Sequence, residues 1–93
     1  MIKVNNYFEG RVASLAFESS EGKATVGVMK KGSYEFGTSS KEIMTVLSGS
    51  MKAQLPGSQE WKTYKKYESF EVAAHVKFQV EVSEDTPYLC FYE

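Results

Sequence analysis

Apolar residues in this chain recur at every second position, the period of a half-buried strand, while the helical period is almost absent. Between positions 76 and 82, Val76, Phe78, Val80 and Val82 alternate with Lys77, Gln79 and Glu81, giving one dry and one wet face. Ala13, Leu15 and Phe17 share one face of residues 11–17, and Ala24, Val26 and Val28 share another after a turn at 18–22. Further extended segments are predicted at 33–36, 43–47, 51–55, 60–64, 69–72 and 87–92. The breaks fall at Lys30-Lys31-Gly32, Ser48-Gly49-Ser50, Pro56-Gly57-Ser58 and Ser83-Glu84-Asp85-Thr86, all rich in residues that tolerate tight backbone angles. Roughly eight to ten short strands in so short a chain imply an all-β antiparallel barrel or double sheet, architectures that protect strand edges.

With 93 residues, one domain spanning 1–93 is expected. Surface scaling for 10.5 kDa gives about 5,400 Å² exposed when folded against about 15,000 Å² extended, enough for one modest core. So small a core favours association, and a homodimer is expected. Eleven Lys+Arg nearly balance twelve Asp+Glu, and Lys30-Lys31 and Lys65-Lys66 are the longest basic clusters, so there is no basic field for nucleic acid. Cys90 is the single cysteine, which excludes an intramolecular disulfide, and its setting Tyr88-Leu89-Cys90-Phe91-Tyr92 reads as buried. Residues 1–10 lack a signal-peptide apolar core and no stretch reaches transmembrane length, so no membrane partner and a cytoplasmic location are expected.

The run Glu42-Ile43-Met44-Thr45-Val46-Leu47-Ser48-Gly49 resembles the second half of the first cupin motif, a strand and turn at the mouth of a small barrel. The two histidines that precede that glutamate in the motif are missing. Counting back, their places fall on Glu35 and Gly37 or on Phe36 and Thr38. The second cupin motif aligns with Val72-Ala73-Ala74-His75-Val76-Lys77-Phe78, where His75 takes the glycine place and Phe78 the ligand place. A cupin metal needs several imidazoles or carboxylates converging on one point, so no metal is expected here, a Glu35–Glu42 carboxylate pair being the residual possibility.

Read as an ordered set, Asn6-Tyr7-Phe8-Glu9-Gly10, Ala24-Thr25-Val26-Gly27-Val28-Met29, Tyr34-Glu35-Phe36, the Glu42 to Gly49 run, Trp61-Lys62-Thr63-Tyr64, Phe70-Glu71-Val72 and Tyr88-Leu89-Cys90-Phe91-Tyr92 resemble the bacterial pyrimidine/purine nucleoside phosphorylase family over nearly the whole length. The chain departs from that pattern at Tyr67, where a glycine is expected, and at Ala73-Ala74, where Pro-Gly is expected. The resemblance implies a cupin-like antiparallel β-barrel of jelly-roll type. It also implies broad phosphorolysis of purine and pyrimidine nucleosides, with inorganic phosphate as co-substrate and no cofactor.

Such a displacement passes through a sugar with oxocarbenium character and needs positioning and charge stabilisation more than a covalent nucleophile. Phe36 and Phe78 are then candidates to stack the base, or else core residues. Glu42 is the first candidate for the ribose hydroxyls and the charge at C1′, with Glu35 second; the other reading of Glu42 is a surface residue at a strand entrance. Arg11, the only arginine, suits bidentate phosphate contact, with Thr38, Ser39 and Ser40 adding donors; otherwise Arg11 is a solvent-facing strand residue. His75 can protonate the leaving base or hold phosphate, or sit exposed in a turn. The alternative function is a small-ligand-binding cupin without catalysis.

Overall fold

The alternation becomes ten strands and no helix in the computed structural model, which describes Met1–Glu93. In chain order the strands are β1 (Val4–Tyr7), β2 (Val12–Ser19), β3 (Gly22–Met29), β4 (Gly32–Gly37) and β5 (Glu42–Val46). They continue as β6 (Ser50–Gln54), β7 (Lys62–Lys65), β8 (Ser69–Val72), β9 (Lys77–Val82) and β10 (Thr86–Tyr92). Every ladder is antiparallel, and the ladders make two sheets: six strands in the order β1-β2-β3-β10-β5-β8, and four in the order β4-β9-β6-β7. No ladder joins one sheet to the other, so the expected barrel takes the form of two facing sheets whose cohesion comes from side chains between them.

That interior follows from strand parity. In β9, Phe78, Val80 and Val82 are buried while Lys77 and Glu81 are exposed, as the alternation requires. From the larger sheet, Val12, Met29, Met44, Val46, Tyr88 and Cys90 meet them. A file of rings crosses this core: Tyr64 to Phe70 at 4.6 Å, Phe70 to Phe78 at 6.3 Å, Phe78 to Phe36 at 5.7 Å and Phe36 to Phe8 at 5.5 Å, edge-on for the last pair. Such offset and edge-to-face pairs add about 0.5–1.5 kcal/mol each beyond the area they bury. No buried side-chain nitrogen or oxygen lacks a partner.

β2 and β3 turn the other way from a simple core reading. Their inward residues are Val12, Ser14, Thr25, Gly27 and Met29, whereas Leu15, Phe17 and Val28 are exposed on the outside. β1, whose sequence Val-Asn-Asn-Tyr carries no alternating signal, exists because it pairs with β2 from Val4↔Leu15 to Tyr7↔Val12. The strand expected at 60–64 runs instead from Lys62 to Lys65, its register set by pairing with Ser50 to Ala53 of β6.

Two non-glycine residues stand in the left-handed region at places where the sequence reading expected glycine. Tyr67, in the turn between β7 and β8, has φ 69°, and His75, between β8 and β9, has φ 61°. Both hold a conformation that glycine adopts more freely.

Candidate functional site

At one end of the molecule the facing sheets enclose a cavity of about 420 Å³, within the usual range for small-molecule sites. One wall is the larger sheet, where parity brings Glu42 and Met44 of β5 beside Tyr88, Cys90 and Tyr92 of β10, through the register pairs Glu42↔Tyr92, Met44↔Cys90 and Val46↔Tyr88. Ser14 of β2 completes that wall. The opposite wall is Phe36 and Gly37 of β4, and Tyr7 and Phe8 close the mouth from the end of β1.

Close packing explains the shape of the first wall. Tyr88 lies opposite Gly27 in the ladder, and a Cβ on Gly27 would sit 2.5 Å from the Ala13 carbonyl oxygen, 2.9 Å from Ser14 Cβ and 2.9 Å from Tyr88 Cζ. The missing side chain is what lets the Tyr88 ring lie against the sheet. At the far end, Tyr92 Oη and Thr25 Oγ1 share a hydrogen bond of 2.9 Å, fixing that ring at the cavity edge.

Glu42 is the half-buried carboxylate of this wall. Burial raises its pKa above the ordinary carboxylate value, and the Cys90 thiol, which donates to Oε1 at 3.4 Å, partly offsets the rise. Its own charge acts back on its neighbours. Burial first, and then the Glu42 carboxylate, push the Cys90 thiol far above its usual range, while Tyr88 is raised to about 12 by burial, the Cys90 charge and other nearby groups. Tyr92 moves upward for the same leading reason. These hydroxyls and the thiol therefore stay protonated as donors, and the carboxylate is the group that changes charge.

A second, more open cavity adjoins the first at Gly37, and Thr38, Ser39, His75, Val76 and Lys77 form the rest of its wall. The loop between β8 and β9 is tied to this wall through Thr38: its hydroxyl donates to the Ala73 carbonyl at 2.7 Å and accepts from the Val76 amide at 3.1 Å, and the His75 amide donates to the Thr38 carbonyl at 3.1 Å. The Thr38 hydroxyl is thereby committed to the loop, while Ser39 and the His75 and Lys77 side chains are exposed.

Of the residues singled out from the sequence, Glu35, Phe36 and Glu42 meet at the first cavity and Thr38, Ser39 and His75 at the second. Glu35 stands at the rim, its carboxylate accepting from Gln79 Nε2 at 2.6 Å. Phe78 is 1% exposed, a core residue beneath Phe36 rather than a wall residue. Arg11 and Ser40 line neither cavity; the Arg11 guanidinium lies 5.4 Å from the centre of the Tyr34 ring, and its Nε donates to the Phe8 carbonyl. Tyr7, Phe8, Ser14, Gly37, Met44, Tyr88, Cys90 and Tyr92 are the first cavity's wall residues that sequence reasoning left out. The spacing-two set Tyr88, Cys90, Tyr92 was a usable signal, because strand parity puts all three on the face that Glu42 shares. No three His, Cys, Asp or Glu side chains are grouped so as to hold a metal ion.

Comparison with known proteins bears on what this arrangement is for. The family described as pyrimidine/purine nucleoside phosphorylase matches residues 2–92. A pyrimidine/purine nucleoside phosphorylase of Pseudomonas putida (strain W619) is 56% identical over 92 residues, covering 99% of this chain and 98% of that one. Its counterpart in Alcanivorax borkumensis is 54% identical with the same coverage. Among solved structures, a protein of unknown function from Vibrio parahaemolyticus is 42% identical, with a TM-score of 0.95 over 100% of this chain and 99% of that chain. An RmlC-like cupin from Shewanella frigidimarina, 15% identical, superposes with a TM-score of 0.74 over 97% of this chain and 81% of its own, and so shares the fold alone.

Proposed function

Because the chain belongs to the pyrimidine/purine nucleoside phosphorylase family, we propose that it cleaves both purine and pyrimidine nucleosides with inorganic phosphate, releasing free base and pentose 1-phosphate. It does so in the cytoplasm and without a metal or organic cofactor. The observation that carries this reading is Glu42, a half-buried carboxylate set among the rings of Phe36, Tyr88 and Tyr92.

In the reaction the C1′–N bond breaks with its electron pair leaving on the base, a phosphate oxygen forms the new bond to C1′, and the departing base takes up a proton. Positive charge grows on the sugar between these events. Glu42 meets that charge. The desolvation that raises its pKa also lowers the local dielectric, so its attraction for a cationic C1′ is stronger than a solvated carboxylate could exert. Its oxygens also accept from the ribose hydroxyls.

Base recognition rests on Phe36, with Phe8 edge-on behind it at 5.5 Å. A ring face stacks purines and pyrimidines alike, worth about 1–3 kcal/mol per base, and this tolerance is the basis for breadth. Phosphate enters from the Gly37 side, where Ser39, His75 and Lys77 offer a hydroxyl and two groups able to carry positive charge. The His75 imidazole is the group there able to hand a proton to the departing base. Phe78 supports Phe36 from the core, and Arg11 braces the Phe8 carbonyl.

The test is turnover. Incubation with uridine and with adenosine should release free base and pentose 1-phosphate only when phosphate is present. Base release that needs no phosphate would make the protein a hydrolase, and no release from any nucleoside would reject catalysis. Glu42→Ala, with its fold verified by circular dichroism, should lower kcat/KM by much more than threefold. A loss within about threefold, near 0.7 kcal/mol, removes Glu42 from the sugar site.

A further inference from the structure

A chain keeps glycine where the backbone takes a positive φ or where a neighbour leaves no room for a Cβ. Five of the seven glycines here have positive φ, and Gly27 is hemmed in by Ala13, Ser14 and Tyr88. Gly37 has neither reason. Its φ lies outside the left-handed region, and a Cβ built on it would meet no atom within 4 Å. A glycine of this kind in a strand weakens the ladder for nothing, unless something must approach the backbone closely. No part of this chain fills the space, which leaves a ligand.

Its position says where that ligand lies. Gly37 ends β4 and is the one residue that borders both cavities. Register sets it opposite Lys77 of β9, and strand parity puts it on the same face as Glu35, two residues back. Glu35 lines the first cavity and Lys77 the second, so a side chain at 37 would rise between them. The backbone there is also uncommitted. The Thr38 N–H donates to the Val76 carbonyl at 2.9 Å, and the alternation of an antiparallel ladder then makes Gly37 and Lys77 a pair without mutual hydrogen bonds. The Gly37 N–H therefore points away from β9, and β4 is the edge of its sheet, with no strand beyond. An exposed amide at a free edge, with a lysine opposite, is a donor that an oxyanion can use at no cost to the ladder.

We propose that Gly37 selects the nucleophile: its bare edge leaves a passage from the open cavity to the enclosed one that admits a tetrahedral oxyanion, and its N–H holds that oxyanion as it meets the sugar. This rests on the phosphorolytic reading of the site and deepens it by assigning the choice of a phosphate-sized acceptor to one position. A phosphate oxygen forms the bond to C1′ as the C1′–N electron pair leaves with the base, and Gly37 gives up no proton in that exchange. Phe36 and Glu42, the base and ribose contacts, border the enclosed cavity alone. Residue 37 therefore acts on the phosphate and leaves nucleoside affinity to them.

Side chains of graded size, Gly37→Ala, Gly37→Val and Gly37→Leu, test this, with KM measured separately for phosphate and uridine and the Kd of each alone measured by equilibrium dialysis. In Gly37→Leu the phosphate constants should rise by about tenfold or more, the loss of one hydrogen bond to a charged group, with Gly37→Ala changing least. The uridine Kd should stay within about threefold and the thermal midpoint should not fall. Phosphate constants within about threefold of wild type in Gly37→Leu overturn the proposal, as does an equal loss of uridine and phosphate. A wild type that binds phosphate but releases no base rejects phosphorolysis, while the dialysis series still decides the role of Gly37; one that neither binds phosphate nor turns over with it overturns both. If the larger variants fail to fold, the wild-type amide NMR spectrum decides: the Gly37 resonance should shift saturably on titration with inorganic phosphate, and a resonance that stays still refutes the contact.

Discussion

Gly27→Ala tests whether the cavity wall owes its form to a missing side chain. The new Cβ meets three groups, and two of them, the Ala13 carbonyl oxygen at 2.5 Å and Ser14 Cβ at 2.9 Å, belong to a strand locked to β3 over eight register pairs. Neither moves without stretching the ladder. The third, Tyr88 Cζ at 2.9 Å, is a ring that can swing, but its free direction is the cavity it lines. Overpacking of this kind costs typically 1–3 kcal/mol, and with two rigid neighbours the upper half, about 2–3 kcal/mol, applies. At roughly 4–8 °C per kcal/mol for a domain of this size, the thermal midpoint should fall by about 10–20 °C. Urea unfolding measures the stability and nucleoside turnover well below the midpoint measures the site; both should drop, turnover through the displaced Tyr88 ring. A midpoint shift worth less than about 0.5 kcal/mol with unchanged kcat/KM would refute the packing argument.

Two further substitutions probe single physical effects. Glu42 has a folded-state pKa raised above its value of 4.5 in the unfolded chain, so the folded protein holds that proton longer and stability is lost as pH rises from about 4.5 through the raised value. Glu42→Gln should therefore be more stable than wild type at neutral pH, with the gap closing below about pH 4.5; urea midpoints across pH would sink this if the gap did not change on acidification. Tyr67→Gly removes a left-handed tyrosine that is 69% exposed, keeping the turn and losing only the contact of the ring with Lys66 Nζ at 4.8 Å. Relief of roughly 1–2 kcal/mol of backbone strain, less glycine's own entropic cost of about 0.5–1 kcal/mol, should leave a net gain near 0.5 kcal/mol in urea unfolding, and a loss would show that the strain is absent.

Strand existence was legible in the sequence where side chains alternate, and the inward set Phe78, Val80, Val82 of β9 follows from parity alone. Orientation was less legible. A dry outward face on β2 and β3 has the same period as a dry inward one, and only the long-range pairing of β10 between β3 and β5 decides which side meets the smaller sheet. The site divides in the same way. Glu42 is marked by its spacing to Gly49, a local motif, whereas Tyr88, Cys90 and Ser14 reach it through register pairs between strands far apart in sequence. β1 shows the limit most plainly, since Val-Asn-Asn-Tyr becomes a strand only because β2 offers an edge.

Those same long-range pairs make the larger sheet serve two surfaces at once. Consecutive residues of β2 alternate between them: Ser14 faces the cavity, and Ala13 and Leu15 face out. The wall between cavity and exterior is one backbone thick, and around Gly27 it has no inward side chain to stiffen it; Ser14 borders both the cavity and a hollow on the outer face, and Gly27 beside it borders the hollow. A sheet this thin takes its twist from whatever packs on each face. The inner face is set by the Tyr88 ring and the aromatic file behind Phe36. The outer face has no such packing within one chain, so the inner face sets the curvature on which the placement of Glu42, Tyr88 and Tyr92 depends.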